Sequence, residues 1–174
     1  RVSVAHVDAA KELIALRLKL RPRGKYATRG FRPIRPLRLR VNGYRGPLEN
    51  TFKSGRRMGS VEVSLQLHGG DIGDFPLDRY HANLSVELDE GPSTQGPNDT
   101  RIRTPKVPVR IAFEGALHGM RLSSRLSEKS RDGMVIVRLE LVRSGGTIFF
   151  AFIVMGIMGV LTCLVISVVV HIVY

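Results

Sequence analysis

From Thr147 to Tyr174 the chain reads TIFFAFIVMGIMGVLTCLVISVVVHIVY, without a single Lys, Arg, Asp or Glu. The hydrocarbon core of a bilayer takes roughly 20 apolar residues rising about 1.5 Å each, and this run is longer. A surface helix of a soluble protein carries one apolar stripe. This segment is apolar on every side, so lipid is the medium expected to bury it. Lipid offers the backbone no hydrogen-bond partners, which leaves an α-helix as the form for one isolated span. Residues 1–146 are then a water-soluble domain tethered to a bilayer, and residues 147–174 its transmembrane helix.

The soluble part is long enough for one domain with its own core and short for two. Its charge is uneven. Residues 1–57 hold 16 Lys or Arg against 3 Asp or Glu, and residues 58–146 hold 11 against 12, so the net +12 arises in the first third. Such asymmetry predicts a directional basic surface whose target is anionic lipid head groups or an acidic protein. Nucleic acid is not expected, because no helix-turn-helix or stacking-aromatic motif accompanies the charge. Cys163 is the one cysteine and lies in the apolar run, so the soluble part has neither a disulfide nor a thiolate metal site. Further spans beyond Arg1 or Tyr174 stay open.

Apolar and polar residues alternate through most of the soluble part, which is the period of half-buried strands. Strands are predicted over Leu13–Arg21, Pro36–Val41, Val61–Leu67, Tyr80–Leu88, Val107–Leu117 and Met134–Val142, with Met120–Leu126 a weaker candidate. Turn residues punctuate them at Asn42-Gly43, Gly69-Gly70, Gly91-Pro92, Gly96-Pro97 and Asp132-Gly133. The stretch from Glu90 to Lys106 reads as a long loop. No soluble helix of 3.6-residue period is apparent. The expected fold is all-β, an antiparallel, immunoglobulin-like β-sandwich followed by the C-terminal transmembrane α-helix.

Three constellations stand out. Arg17, Lys19, Arg21 and Arg23 share one strand face, and Arg38 and Arg40 lie on a second strand. On neighbouring strands they would form a docking surface within one Debye length; otherwise they are a solvated sheet face. In the Gly-rich stretch from His68 to His81, Asp71, Asp74 and Asp78 offer oxygens to a hard cation, but their spacing departs from that of a calcium loop. A structural turn explains them better: Pro76 sets a bend, Asp78 accepts backbone N–H groups, and Asp78 with Arg79 staples the loop to a neighbouring strand. Tyr80 opens that strand. In the apolar segment Gly156, Gly159, Cys163 and Ser167 recur every three or four residues. A small-residue face lets a second helix approach closely where no hydrophobic effect drives association; glycine is also simply commoner in membrane helices.

No GxSxG, HExxH, P-loop or nucleophilic cysteine is present, and His6, His68, His81 and His118 show no ligand spacing. No catalytic residue, metal or cofactor is expected. Asn83-Leu84-Ser85 and Asn98-Asp99-Thr100 match the glycosylation sequon, which matters only in a eukaryotic secretory route.

The segment Gly70–Tyr80, GDIGDFPLDRY, resembles a motif of an uncharacterised family of actinobacterial, chiefly mycobacterial, membrane proteins. There a Gly-rich turn precedes a Tyr-Pro-Phe-Asp-Arg-Tyr-like hexapeptide and an alternating strand. Here the hexapeptide is Phe75-Pro76-Leu77-Asp78-Arg79-Tyr80, with two conservative departures. The order around it is also similar: an early basic strand ending in Pro22-Arg23-Gly24, the motif, further strands, then a hydrophobic end. The resemblance implies a soluble domain on the extracytoplasmic side of the plasma membrane. It implies no activity and carries over no catalytic residue. The Phe-Pro-x-Asp turn is similar to one in the extracellular sandwiches of pentameric ligand-gated channels, which bears on the fold alone.

The expected role is therefore a non-catalytic accessory subunit of a larger integral membrane complex in the mycobacterial envelope. The preferred host is an Mce-type lipid importer, with the respiratory supercomplex as the other candidate. A membrane-anchored sensor or ligand-binding sandwich is the alternative, favoured by an apolar cavity between the sheets. An enzyme would need a cleft gathering Asp78, His81 and a further titratable group.

Overall fold

Period-2 alternation requires each strand to present one apolar face, and two such sheets bury those faces against each other. The computed structural model describes residues 1–91, 105–114, 117, 119–127, 130 and 133–174. Its strands are β1 (Val2–Asp8), β2 (Leu13–Lys19), β3 (Leu37–Val41), β4 (Leu48–Phe52), β5 (Ser60–Gln66), β6 (Arg79–Glu90), β7 (Phe113–Glu114), β8 (Met120–Leu126) and β9 (Met134–Arg143), followed by helix α1 (Gly145–Val173). One sheet has the order β5-β2-β1-β7 and the other β4-β3-β6-β9-β8. Neighbouring strands are antiparallel except β1 and β7. Ile14, Leu16 and Leu65 of the first sheet share one core with Leu39, Leu84 and Leu139 of the second. The chain is thus the expected two-sheet, mostly antiparallel domain with one C-terminal apolar helix.

The departures have local causes. In β1 a register shift between Val4 and His6 interrupts the alternation, so sequence periodicity misses it. Strand β4 pairs only with β3 and is mostly exposed; an edge strand of this kind carries little apolar signal. Among the described residues of the strand predicted over Val107–Leu117, Phe113–Glu114 forms one. Pro108 has no N–H to give a ladder, and Val107–Ala112 runs irregularly. The weaker candidate, Met120–Leu126, is strand β8. The predicted turns at Gly91-Pro92, Gly96-Pro97 and Asp132-Gly133, most of the Glu90–Lys106 loop, the Asn98 sequon and His118 lie partly or wholly outside the described residues.

Helix α1 begins at Gly145, two residues before the predicted boundary, because Ser144 caps it: the Ser144 hydroxyl accepts from the Thr147 N–H at 3.3 Å. Ser144 is the one residue between β9 and α1. The joint is tied to β8, since the Gly119 carbonyl accepts both the Ser144 N–H at 2.9 Å and the Thr147 hydroxyl at 3.1 Å. Over 29 residues the helix is long and apolar enough to cross a membrane, and its most apolar stretch is not buried against the sandwich. A soluble core helix would be; this one fits a membrane anchor.

Candidate functional site

At the helix end of the sandwich sits the hexapeptide turn. Arg79 pairs with Val142 across the β6–β9 ladder, so one further step brings residue 78 opposite residue 143. Arg143 answers Asp78 there with a two-pronged ion pair, Nε to Oδ1 at 2.9 Å and the terminal nitrogen to Oδ2 at 2.9 Å. The Asp78 side chain is fully buried and that of Arg143 is partly buried. The Arg143 guanidinium also lies 5.2 Å from the centre of the Phe75 ring. Burial pushes the Asp78 carboxyl up, but the Arg143 hydrogen bonds outweigh it and hold the group below its ordinary value. The same bonds raise Arg143, while burial pushes the Tyr80 phenol up. The predicted staple from Asp78 is therefore real, but its partner is Arg143 and not Arg79. Adjacent strand residues point to opposite faces, and Arg79 is exposed. Pro76, in a cis peptide bond with Phe75, is buried, as is Tyr80.

The three aspartates do not converge. Asp71 accepts the Gly73 N–H at 2.8 Å and Asp78 faces Arg143. Among the described residues no three His, Cys, Asp or Glu side chains gather as a metal site. By strand alternation Asp78 and His81 also fall on opposite faces.

The basic residues divide. Strands β2 and β3 belong to different sheets, so Arg17 and Lys19 project from one outer face and Arg38 and Arg40 from the other. The single docking surface expected from neighbouring strands does not form, because strands close in sequence are not partners in the ladder. Arg17 is engaged by Glu62 and Arg40 by Glu49, each at 2.6 Å. Arg38 stands across the ladder from buried Asp89.

Lys19, Arg21 and Arg23 reach a different feature. At the end of the sandwich away from α1, an open cleft of about 780 Å³ runs between the sheets. Its floor is apolar, built from Leu18 of β2, Leu37 of β3 and Val86 and Leu88 of β6, with Val109 and Ile111 along one side. It exists because β7 is only two residues long and the Pro108 segment cannot extend that strand over the gap. Around the rim, among the described residues, stand Arg1, Lys19, Arg21, Arg23, Lys25 and Arg110, against the acid Glu114, which Arg1 engages at 2.8 Å. The Arg21 guanidinium lies 3.7 Å from the centre of the Phe31 ring, a cation–π distance. Phe31 itself has φ +55°, rare for a bulky residue. Lys19, Arg23 and Arg110 have no carboxylate within ion-pair distance among the described residues. Val86 lies seven residues along β6 from Arg79. At about 3.4 Å per residue, that places the cleft roughly 25 Å from the helix base.

On α1, Gly156, Gly159, Cys163 and Ser167 are exposed, and no other part of the chain comes near Gly156 or Gly159. Sequence reading found this stripe and half of the rim, but not the cleft, whose walls come from segments far apart in the chain.

The sequence profile of a family described as a domain of unknown function (DUF4436) matches residues 1–139. No curated protein and no solved structure matches the chain.

Proposed function

The chain belongs to the DUF4436 family, a domain of unknown function, and on that premise we propose that it is a non-catalytic accessory subunit of a larger membrane complex. The observation that carries this reading is the helix. It is exposed from Phe152 onward, it is joined to the sandwich through the single residue Ser144, and it offers open space beside Gly156 and Gly159. A partner helix seats closely on such a face, and the tied joint transmits its position to the sandwich. The domain stands on the extracytoplasmic side of the plasma membrane of an actinobacterial envelope, with an Mce-type lipid importer as host. The apolar cleft, held away from the helix, supports a lipid-handling host over the respiratory supercomplex.

Purification of the tagged full chain in mild detergent, with mass spectrometry of what co-purifies, tests this. The wild type is expected to retain a defined set of membrane subunits, and Gly156→Leu with Gly159→Leu to lose them. Because nothing within the chain touches these glycines, the pair of substitutions should leave the fold intact. A chain recovered alone, or unaltered recovery by the double variant, overturns the subunit reading.

The cleft favours a second reading, a membrane-anchored binding domain. The two are compatible: an accessory subunit can present a bound molecule to its host.

A further inference from the structure

We propose that the cleft between the sheets binds a single-chain anionic lipid, with the acyl chain against the apolar floor and the acidic head group at the cationic rim. The inference adds to the subunit reading and does not depend on the identity of any host.

Three observations carry it. First, the floor and the rim differ in kind. Leu37, Val86 and Leu88 give no polar group to recognise, whereas among the described residues the rim holds cations in excess over the acid Glu114. An apolar pocket with a few convergent polar groups at its mouth is the general form of a small-molecule site, and this sign of charge selects an acid. Second, Lys19, Arg23 and Arg110 are without a carboxylate partner among the described residues. Arg17, Arg35, Arg40 and Arg143 each have one, whereas these three stand at the mouth of an apolar cleft. An unneutralised cluster beside apolar surface fits an external anion, and Arg and Lys suit a carboxylate or phosphate. Third, the size suits one chain. At roughly 30 Å³ for a group the size of a water molecule or methylene, the cleft of about 780 Å³ has room for one long acyl chain and a small head.

The basic first third of the sequence then has a specific use. On the outer sheet faces Arg17 and Arg40 are held by Glu62 and Glu49, while Lys19 and Arg23 at the cleft are left for the ligand. The position of the cleft, roughly 25 Å from the helix base along the β6 ladder, separates this site from head-group contact at the bilayer surface.

The test uses the full chain in nanodiscs of phosphatidylcholine, with empty discs subtracted, and competition against a fluorescent fatty acid. Palmitate or lysophosphatidate is expected to displace the probe, while hexadecanol and hexadecyltrimethylammonium are expected to displace it poorly. Lys19→Glu with Arg23→Glu should weaken palmitate or lysophosphatidate binding about tenfold or more. The same charge change at the exposed Arg45 and Arg79, outside the cleft, should leave it within about twofold. Both pairs are exposed, so folding is not at stake. Ile111→Trp, which fills the cleft from its irregular side, should reduce binding of every chain. Equal displacement by hexadecanol, equal loss in the two charge-reversed pairs, or no displacement at all overturns the proposal. Each is read from the isolated chain, so failure here is distinct from failure to co-purify a host.

Discussion

Arg143→Met is expected to destabilise the full-length protein by about 3–5 kcal/mol, the usual consequence of leaving one partner of a buried ion pair unmatched. Asp78 has no solvent to turn to, since its side chain is fully buried and Arg143 supplies the contacts on both carboxylate oxygens. For a chain of this length the melting temperature should fall by about 6–20 °C, measured in a mild detergent. Adding Asp78→Leu to Arg143→Met should restore part of the loss, because it removes the orphaned charge. The pH dependence separates this from simple loss of packing. In the wild type the Asp78 carboxyl is held below its ordinary value. Its stabilising contribution is therefore complete above roughly pH 3.9, the unfolded-state value. It is lost as pH falls through the lower folded value. Without Arg143, burial, the largest influence on this carboxyl, is opposed only by the smaller effects of Tyr80 and the local backbone, and the folded value rises. Arg143→Met should then regain stability as pH is lowered from 7 to 5, where the wild type stays level. A melting temperature within about 2 °C of wild type at pH 7 would mean that the pair contributes little.

Gly70→Ala is expected to be the most damaging single-methyl addition to the hexapeptide turn. A Cβ at this position falls onto the Tyr80 ring and comes within 2.8 Å of the Arg79 carbonyl oxygen. Tyr80 is 1 % exposed and packed in the core, so neither obstacle can swing aside. Overpacking of this kind costs about 1–3 kcal/mol, and the rigid backbone obstacle places Gly70→Ala near the upper end, a fall of roughly 6–12 °C. Gly159→Ala is the matched control. Its added methyl meets nothing, and the melting temperature should be unchanged. Equal behaviour of the two variants would show that Gly70 is not chosen for close approach.

Much of the fold is legible in the chain because its signals are local. Leu37, Leu39 and Val41 alternate with Arg38 and Arg40, and the pleat alone puts the first three in the core. What escapes is equally instructive. The edge strand Leu48–Phe52 has little apolar surface to bury, and Val2–Asp8 hides behind a register shift. Asp78 is recognisable as a structural acid, yet the neighbouring Arg79 draws attention from the true partner, Arg143, 65 residues away. The only sequence cue is that Arg143 is a lone base just before the apolar run.

The chain by itself determined a β-rich domain, a charge excess confined to its first third and one helix suited to a bilayer. Each follows from a pattern read over a few residues: the two-residue pleat, the local balance of charges and the length of an apolar run set against membrane thickness. The tertiary structure alone decided that Arg17 and Arg38 stand on opposite outer faces, that Arg143 holds the turn, and that a short β7 leaves a cation-rimmed cleft open between the sheets. These depend on which distant segments become neighbours, and pairing between distant strands is settled by register and packing together, which no stretch of sequence carries alone.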